Sequence, residues 1–564
     1  MRDFLVSRAW LGLVAAFALA YSVNLGAREL TTVDESRTAV ITRDMLAGGC
    51  GLIPRTPDGY LSEKPPVYYG MAAGATWLAG EGEGALRAVS VLMAIATLLV
   101  LGWTAGAVGT PRTAVIAVGV LGANILFVAW ARSAMVDMTF TFFLTAGMAA
   151  YLAARRGRLG PWSASALCGV SFGLAVLSKG PLGFALPVVA AALDVLVTTR
   201  GRFWKASIPW AAAGLAALIA VELSLLWYLP GWVAGGSEFA HTSLLDENVY
   251  MPLGLSHGIA GSHARPAWYY PSRQLLALLP IAALLPEAIR RLVRREADPT
   301  RIPLVAWTAA GFLLLVAASN KRWYYLLPVQ PALALLLALA IAPLWEVAPP
   351  GALRWGTRVM GALLALVALV GSACAFNAPA LTGSEEARRL LDLMRQHRGL
   401  LALAGVCLSW SGVLMWIASF GSTSVMIRAV LLAGVLGAGF RSLVLDPMQG
   451  TLDRVRPFAA EMGRQLPPGA TVAVWPPGYG YGLDYYWPTP LGRGIVAANS
   501  SEYLLVRQEL IERLPFQVDV LGIVDFSSDE RRVALVRRRC GTLGLPVPRA
   551  RDSASGEPGA PPGP

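Results

Sequence analysis

About thirteen stretches of roughly 20 mostly apolar residues follow one another along this chain, each long enough to cross a hydrocarbon layer of roughly 30 Å as a helix. They lie near 9–26, 85–104, 113–130, 135–153, 162–178, 181–198, 207–229, 268–289, 302–319, 327–346, 357–377, 399–420 and 426–445. In lipid every backbone N–H and C=O must be paired, so spans of this length fold as α-helices. With 55% hydrophobic and 15% charged residues over 564 positions, an ordinary soluble globular protein is excluded. The expected class is an α-helical polytopic membrane protein.

Charge fixes the expected orientation. Arg155-Arg156-Gly157-Arg158, Arg200-Gly201-Arg202, Arg290-Arg291 with Arg294-Arg295, and Arg354 with Arg358 fall on one side under this count, together with Arg2 and Arg8. By the positive-inside rule that side is cytoplasmic. The net charge of +12 is then topogenic and calls for no nucleic-acid partner. Asp34-Glu35, Asp137, Lys179, His263 and Lys321 gather on the opposite, outer face. The basic start and Ala18-Leu19-Ala20 of the first segment also fit a cleaved leader; the expectation is an uncleaved span, because the later spans need none. Cys168, Cys374 and Cys407 read as small core residues of apolar spans, and the spacing of Cys50 and Cys540 argues for neither a disulfide nor a metal.

The organisation expected is a transmembrane part, 1–445, with outer loops 27–84 and 230–267, then a small extracytoplasmic α/β domain, 446–546, and a disordered tail, 547–564, rich in Pro, Gly, Ala and Ser. In the domain, Leu452–Leu466 and Ser501–Leu514 read as helices, and Ala470–Trp475, Gln517–Val524 and Arg532–Val536 as strands.

Asp34-Glu35 stands just past the first span, where charge is costly and is retained mainly for work. Val40, Ile41, Met45 and Leu46 recur at helical spacing after it, predicting a helix along the membrane surface that begins at the carboxylates. A structural reading competes: Asp34 as a helix N-cap, with Glu35 favouring the positive helix end.

AspGluSerArg from Asp34, GluLysProPro at Glu63–Pro66, MetValAspMet at Met135–Met138 and SerLysGlyProLeuGly at Ser178–Gly183 form an ordered series. Together they resemble the GT-C superfamily of membrane glycosyltransferases, above all the aminoarabinose transferase of lipid A (glycosyltransferase family 83) and the protein O-mannosyltransferase group (family 39). The resemblance runs over about the whole chain. It implies inverting transfer of a sugar from a polyprenyl-phosphate carrier to an acceptor at the outer face of the bacterial inner membrane, with no nucleotide cofactor in the site.

The resemblance also implies roles. Asp34 would orient or deprotonate the acceptor, with Glu35 beside it and Asp137 as the second acidic motif. Arg37, Lys64 and Lys179 would face the carrier phosphate, and so would Lys321 and Tyr325 of AsnLysArgTrpTyrTyrLeuLeuPro, Asn320–Pro328. Snorkelling to lipid headgroups and interfacial anchoring are the bland readings of these last residues. Glu63 and His263 match positions that hold zinc in a relative, although two ligands alone make a weak metal signal. Leu61 departs from the pattern, standing where a tyrosine is usual, with Tyr60 one position earlier.

The acceptor implied is lipid A or another glycolipid, with a protein Ser/Thr hydroxyl as the alternative. A flippase for lipid-linked sugars is a further alternative, but transporters commonly carry internal repeats and broken helices at midplane, whereas here no repeat is visible and the charged motifs gather in outer loops.

Overall fold

The computed structural model describes residues 2–30, 32–48, 53–57, 64–202, 209–250, 265–293, 301–377, 396–476, 480–526 and 531–539. The chain begins with α1 (Arg2–Ser22), α2 (Val33–Leu46), α3 (Val67–Ala79) and α4 (Glu83–Val108). It continues through α5 (Pro111–Gly122), α6 (Ile125–Ala131), α7 (Val136–Arg155), α8 (Pro161–Lys179), α9 (Leu182–Thr198) and α10 (Trp210–Ala240). Next come α11 (Tyr269–Ala277), α12 (Leu285–Val293), α13 (Ile302–Ala317), α14 (Gln330–Ile341), α15 (Gly351–Asn377), α16 (Arg398–Ala418) and α17 (Thr423–Phe440). The C-terminal part holds α18 (Asp446–Leu452), α19 (Val455–Gln465), β1 (Val472–Trp475), α20 (Tyr481–Tyr486), α21 (Gly494–Ser500), β2 (Tyr503–Arg507), β3 (Val518–Phe526) and β4 (Arg531–Arg538).

Every apolar window of the sequence is occupied by helix. Among the described residues eight helices are long and apolar enough to cross a membrane, or nine when α5 and α6 are taken as one bent span. The chain is a multi-pass membrane protein. The expected thirteen crossings are not all of full length: the Arg8–Ser22 part of α1, α9 and α13 are shorter apolar helices, and the window 268–289 is divided between α11 and α12. The expected outer loop from 230 is mostly helical, with α10 kinked at Gly236 (φ +53°) before it ends at Ala240 and a wide-turn helix over His241–Tyr250; residues 251–264 lie outside the described residues. So do Cys50, Cys540 and the expected tail. Cys168 is buried as expected, but Cys407 is exposed on α16, because an apolar span in lipid need not turn its apolar residues inward.

Two compact units form: 1–25, 87–228 and 266–448 make one, and 26–86, 229–265 and 449–564 the other. In the first, α7 packs against α8, α1 against α5, α9 against α13 and α15 against α16. The last pair meets at Gly361 and Gly412, where an added Cβ would stand 2.7 Å and 2.5 Å from the other's carbonyl oxygen. Only glycine permits backbones so close, and small residues are how helices associate where lipid removes the hydrophobic drive.

The chain bends by 68° between α5 and α6. Asn124 sits at the break and caps α6, its Oδ1 accepting the Phe127 N–H at 3.0 Å. Its Nδ2 donates to Gln330 Oε1 at 2.9 Å, and Gln330 exchanges hydrogen bonds with Gln274 at 3.0 and 2.8 Å. These buried amides thus satisfy one another inside the bundle. Arg132, at the C-terminus of α6, is also buried; its Nε donates to Asp446 Oδ2 at 2.7 Å, and its Nη atoms to the carbonyls of Ala20, Tyr21 and Asn24 at the end of α1. A buried pair is tolerable only when further hydrogen bonds complete it in this way.

In the second unit the four-stranded sheet has the order β1-β2-β4-β3, with β1 and β2 parallel and the other pairs antiparallel. One face, with Val472, Val474, Leu505 and Leu535, packs on Phe458 and Met462 of α19; the other, with Ala473, Leu504, Val506 and Val536, packs on Leu510. Ser501–Leu514, expected as a helix, is instead strand β2 followed by a short 3-10 helix over Gln508–Arg513. All five residues of β2 are buried, and a strand covered on both faces shows no alternation by which to tell it from a buried helix.

Candidate active site

In the first unit the chemistry gathers at one end of the α7–α8 pair. Met135 is the extended residue before α7, which puts Asp137 in the first turn, where the helix dipole favours a carboxylate. Lys179 is the last residue of α8, and Gly180, at φ +94°, ends that helix in a conformation natural to glycine. Antiparallel packing brings the two side chains together as an ion pair, Lys179 Nζ to Asp137 Oδ1, with only 11% and 3% of the side chains exposed.

The ammonium also faces aromatic rings, 4.6 Å from the centroid of Tyr325, 5.4 Å from Tyr324 and 5.9 Å from Phe140. Such cation–π contacts strengthen as water is excluded. Tyr324 is steadied by Arg322, whose Nη1 donates to its hydroxyl at 2.9 Å, and by Trp130, whose ring centroid lies 5.2 Å away. Lys321, buried in the same loop, donates its Nζ to the Ala318 carbonyl. Among the described residues the indole N–H groups of Trp130 and Trp323 and the Oδ1 of Asn320 have no hydrogen-bond partner.

In the second unit α2 begins at the acidic pair as the sequence predicts, but Thr32 is its cap. The Thr32 Oγ1 accepts the Glu35 N–H at 3.1 Å, so Asp34 is not the N-cap. The carboxylates differ in surroundings. Glu35 is 1% exposed and held in a two-point pair by Arg28, at 2.8 and 3.3 Å. Asp34 is half-buried and meets Arg37, one turn along the helix, at 3.0 Å. Glu35 is thereby committed to Arg28, and Asp34 is the more accessible carboxylate. Lys64 is half-buried just before α3.

Of the residues singled out in the sequence, the fold brings Asp137, Lys179 and Tyr325 together in one unit and Asp34, Glu35 and Arg37 in the other. Lys321 shares a loop with Tyr325. Glu63 and His263 lie outside the described residues, and among the described ones no group of three or more His, Cys, Asp or Glu is placed to hold a metal. Arg28, Phe140, Tyr324 and Trp130 were not anticipated. Tyr324 was within reach, as the neighbour of Tyr325, but Arg28 belongs to none of the motifs.

The family model described as dolichyl-phosphate-mannose-protein mannosyltransferase matches residues 8–242. The undecaprenyl phosphate-alpha-4-amino-4-deoxy-L-arabinose arabinosyl transferase of Edwardsiella ictaluri is 31% identical over 348 residues, 58% of each chain. That of Pectobacterium atrosepticum is 31% identical over 370 residues, 64% of each chain. The chain spans about three fifths of the length of these relatives. The crystal structure of ArnT from Cupriavidus metallidurans bound to undecaprenyl phosphate superposes with a TM-score of 0.69 at 20% identity, covering 94% of this chain and 98% of that one. The oligosaccharyltransferase of Archaeoglobus fulgidus gives 0.50 at 14% identity over 89% of this chain and 69% of that one. The protein therefore has the GT-C fold of ArnT, and in sequence it resembles the undecaprenyl phosphate-aminoarabinose arabinosyl transferases.

Proposed function

We propose that this protein is an inverting glycosyltransferase of the bacterial inner membrane that moves a pentose of the 4-amino-4-deoxy-L-arabinose type from undecaprenyl phosphate to lipid A at the periplasmic face. The observation that carries this reading is likeness to the aminoarabinose transferases in sequence, together with the fold of a structure that holds undecaprenyl phosphate. The caged Lys179 supports it. An ammonium turned toward aromatic rings and shielded from water is a preorganised partner for a lipid phosphate, and its attraction grows as the leaving group gains charge.

In this reading Lys179 and Lys321, with Tyr325, meet the carrier phosphate, and Asp137 holds Lys179 in place before the phosphate arrives. Arg37 and Lys64 add charge on the loop that carries Asp34. Asp34 orients the acceptor oxygen for attack on the anomeric carbon. A lipid A phosphate is already ionised and needs little base catalysis, whereas a hydroxyl acceptor would pass its proton to Asp34. Glu35 is buried against Arg28 and shapes the start of α2 instead of touching substrate. No step is assigned to a metal.

Mass spectrometry of lipid A from cells carrying the wild type, Asp34→Asn or no copy of the gene tests the proposal. A pentosamine-sized mass gain confined to the wild type is expected. An unchanged lipid A with a wild-type-dependent glycoprotein would move the acceptor to Ser/Thr, in line with the mannosyltransferase match over residues 8–242. No product of any kind would favour transport of the lipid-linked sugar.

A further inference from the structure

The segment Arg28–Thr32, between α1 and α2, is bonded on both of its sides. Toward α2, Arg28 holds Glu35, the Leu30 carbonyl accepts the Ser36 hydroxyl at 2.9 Å, and Thr32 caps the helix. Toward the C-terminal part, the Glu29 carboxylate accepts the first two N–H groups of α19, from Val455 at 3.0 Å and Arg456 at 2.9 Å. The Glu29 N–H in turn donates to the Asp453 carboxylate. The Leu30 N–H donates to the Tyr486 hydroxyl at 2.9 Å, and that hydroxyl donates to Glu83 at 2.7 Å. Arg456 reaches the same Glu83 carboxylate.

The far end of α2 is tied as well. Arg43 donates to the carbonyls of Asp484 and Tyr485, at 3.2 and 2.9 Å, and lies over the Tyr485 ring, 4.6 Å from its centroid. A helix of 14 residues is marginal in water on its own. Here both its ends are fixed by α19, α20 and the loop before α19.

We infer that the C-terminal α/β domain is a positioning element for the acidic pair, acting through a strap, Arg28–Thr32, whose anchors are Glu29 and Tyr486. The domain fixes where α2 begins, and so where the Asp34 carboxylate stands. Glu29 and Tyr486 are positioning residues: each bonds to the strap or its anchors and neither needs to meet substrate. This inference rests on the proposal that Asp34 orients the acceptor oxygen.

The test uses the full-length protein in nanodiscs, with Glu29→Gln, Glu29→Ala and Tyr486→Phe compared to wild type. Hydrogen exchange of the α2 amides is read beside that of the β1–β4 sheet, and sugar transfer beside binding of undecaprenyl phosphate. Expected are α2 exchange faster by roughly five- to tenfold with the sheet unchanged, and turnover lower by a similar factor with carrier affinity intact, as loss of a helix-terminal tie of this kind implies. The effect is graded, Glu29→Ala exceeding Glu29→Gln, because the carboxamide oxygen still accepts one N–H. Unchanged α2 exchange in Tyr486→Phe and Glu29→Ala overturns the strap, and loosened α2 with full turnover overturns its positioning role. A wild type that transfers no sugar sinks the transferase reading instead, and the exchange data then decide the strap alone.

Discussion

Asp137 and Lys179 should change carrier binding in opposite directions. A phosphate oxygen in contact with Lys179 Nζ would stand about 5 Å from the Asp137 carboxylate, since the ammonium touches both. At an effective dielectric of about 20–40, that repulsion opposes phosphate binding by about 2–3 kcal/mol. Asp137→Asn removes it and leaves the ammonium caged by Tyr325, Tyr324 and Phe140, so undecaprenyl phosphate should bind roughly 30- to 150-fold more tightly. Lys179→Gln removes the attraction and leaves a buried carboxylate without its cation; binding should weaken by at least roughly 100-fold. Titration of each purified variant with undecaprenyl phosphate by tryptophan fluorescence or calorimetry reads both. Equal loss in the two variants would refute the reasoning, showing that what Asp137 contributes by holding Lys179 in place outweighs its repulsion of the phosphate.

Other expectations follow from single contacts. Glu35→Ala leaves the buried Arg28 without its carboxylate and should cost about 3–5 kcal/mol in thermal unfolding, while Arg28→Met with Glu35→Leu should cost much less than the two single changes summed. Burial, with the charge of Asp453 beside it, pushes the Glu29 carboxyl up to about 7 although the Arg456 and Val455 N–H groups and the Arg456 charge favour its ionised form; Tyr486 and Glu83 stand in the same cluster. The folded state therefore holds the proton that the unfolded chain releases near 4.5, so melting temperature should fall as pH rises from about 4.5 to 7, and Glu29→Gln should flatten that slope. An alanine at Gly450 would put its Cβ 1.9 Å from the Ala27 carbonyl oxygen, a backbone atom, so Gly450→Ala should sharply reduce the yield of folded protein by size-exclusion chromatography. Gly412→Leu should do the same by forcing α15 and α16 apart.

The membrane part was legible because hydropathy is local: a run of apolar residues declares a helix without reference to its neighbours. What such a run hides is a break, and α5–α6 bends inside one window because Asn124 supplies its own cap. Asp137 and Lys179 were half legible, since an acid at the start of one helix and a lysine at the end of the next meet whenever the two pack as a hairpin. Arg28 with Glu35 was within local reach, but Arg28 belongs to none of the motifs. Arg132 with Asp446, 314 residues apart, leaves no local pattern at all. Strand β2 was misread for the opposite reason, its burial on both faces erasing the period that tells strand from helix.

The Asn124–Gln330–Gln274 amides bear on how the bundle is made. Asn124 and Gln330 are 206 residues apart, so α6 is synthesised long before its partner. Until α14 arrives, the Asn124 amide is without that acceptor in a medium where interhelical hydrogen bonds are worth about 0.6–2 kcal/mol. The Gln330 carboxamide then bonds both Asn124 and Gln274, and only the correct lateral order of these helices satisfies all three. Helices packed in another lateral order would leave these amides unpaired, so the network favours the arrangement observed.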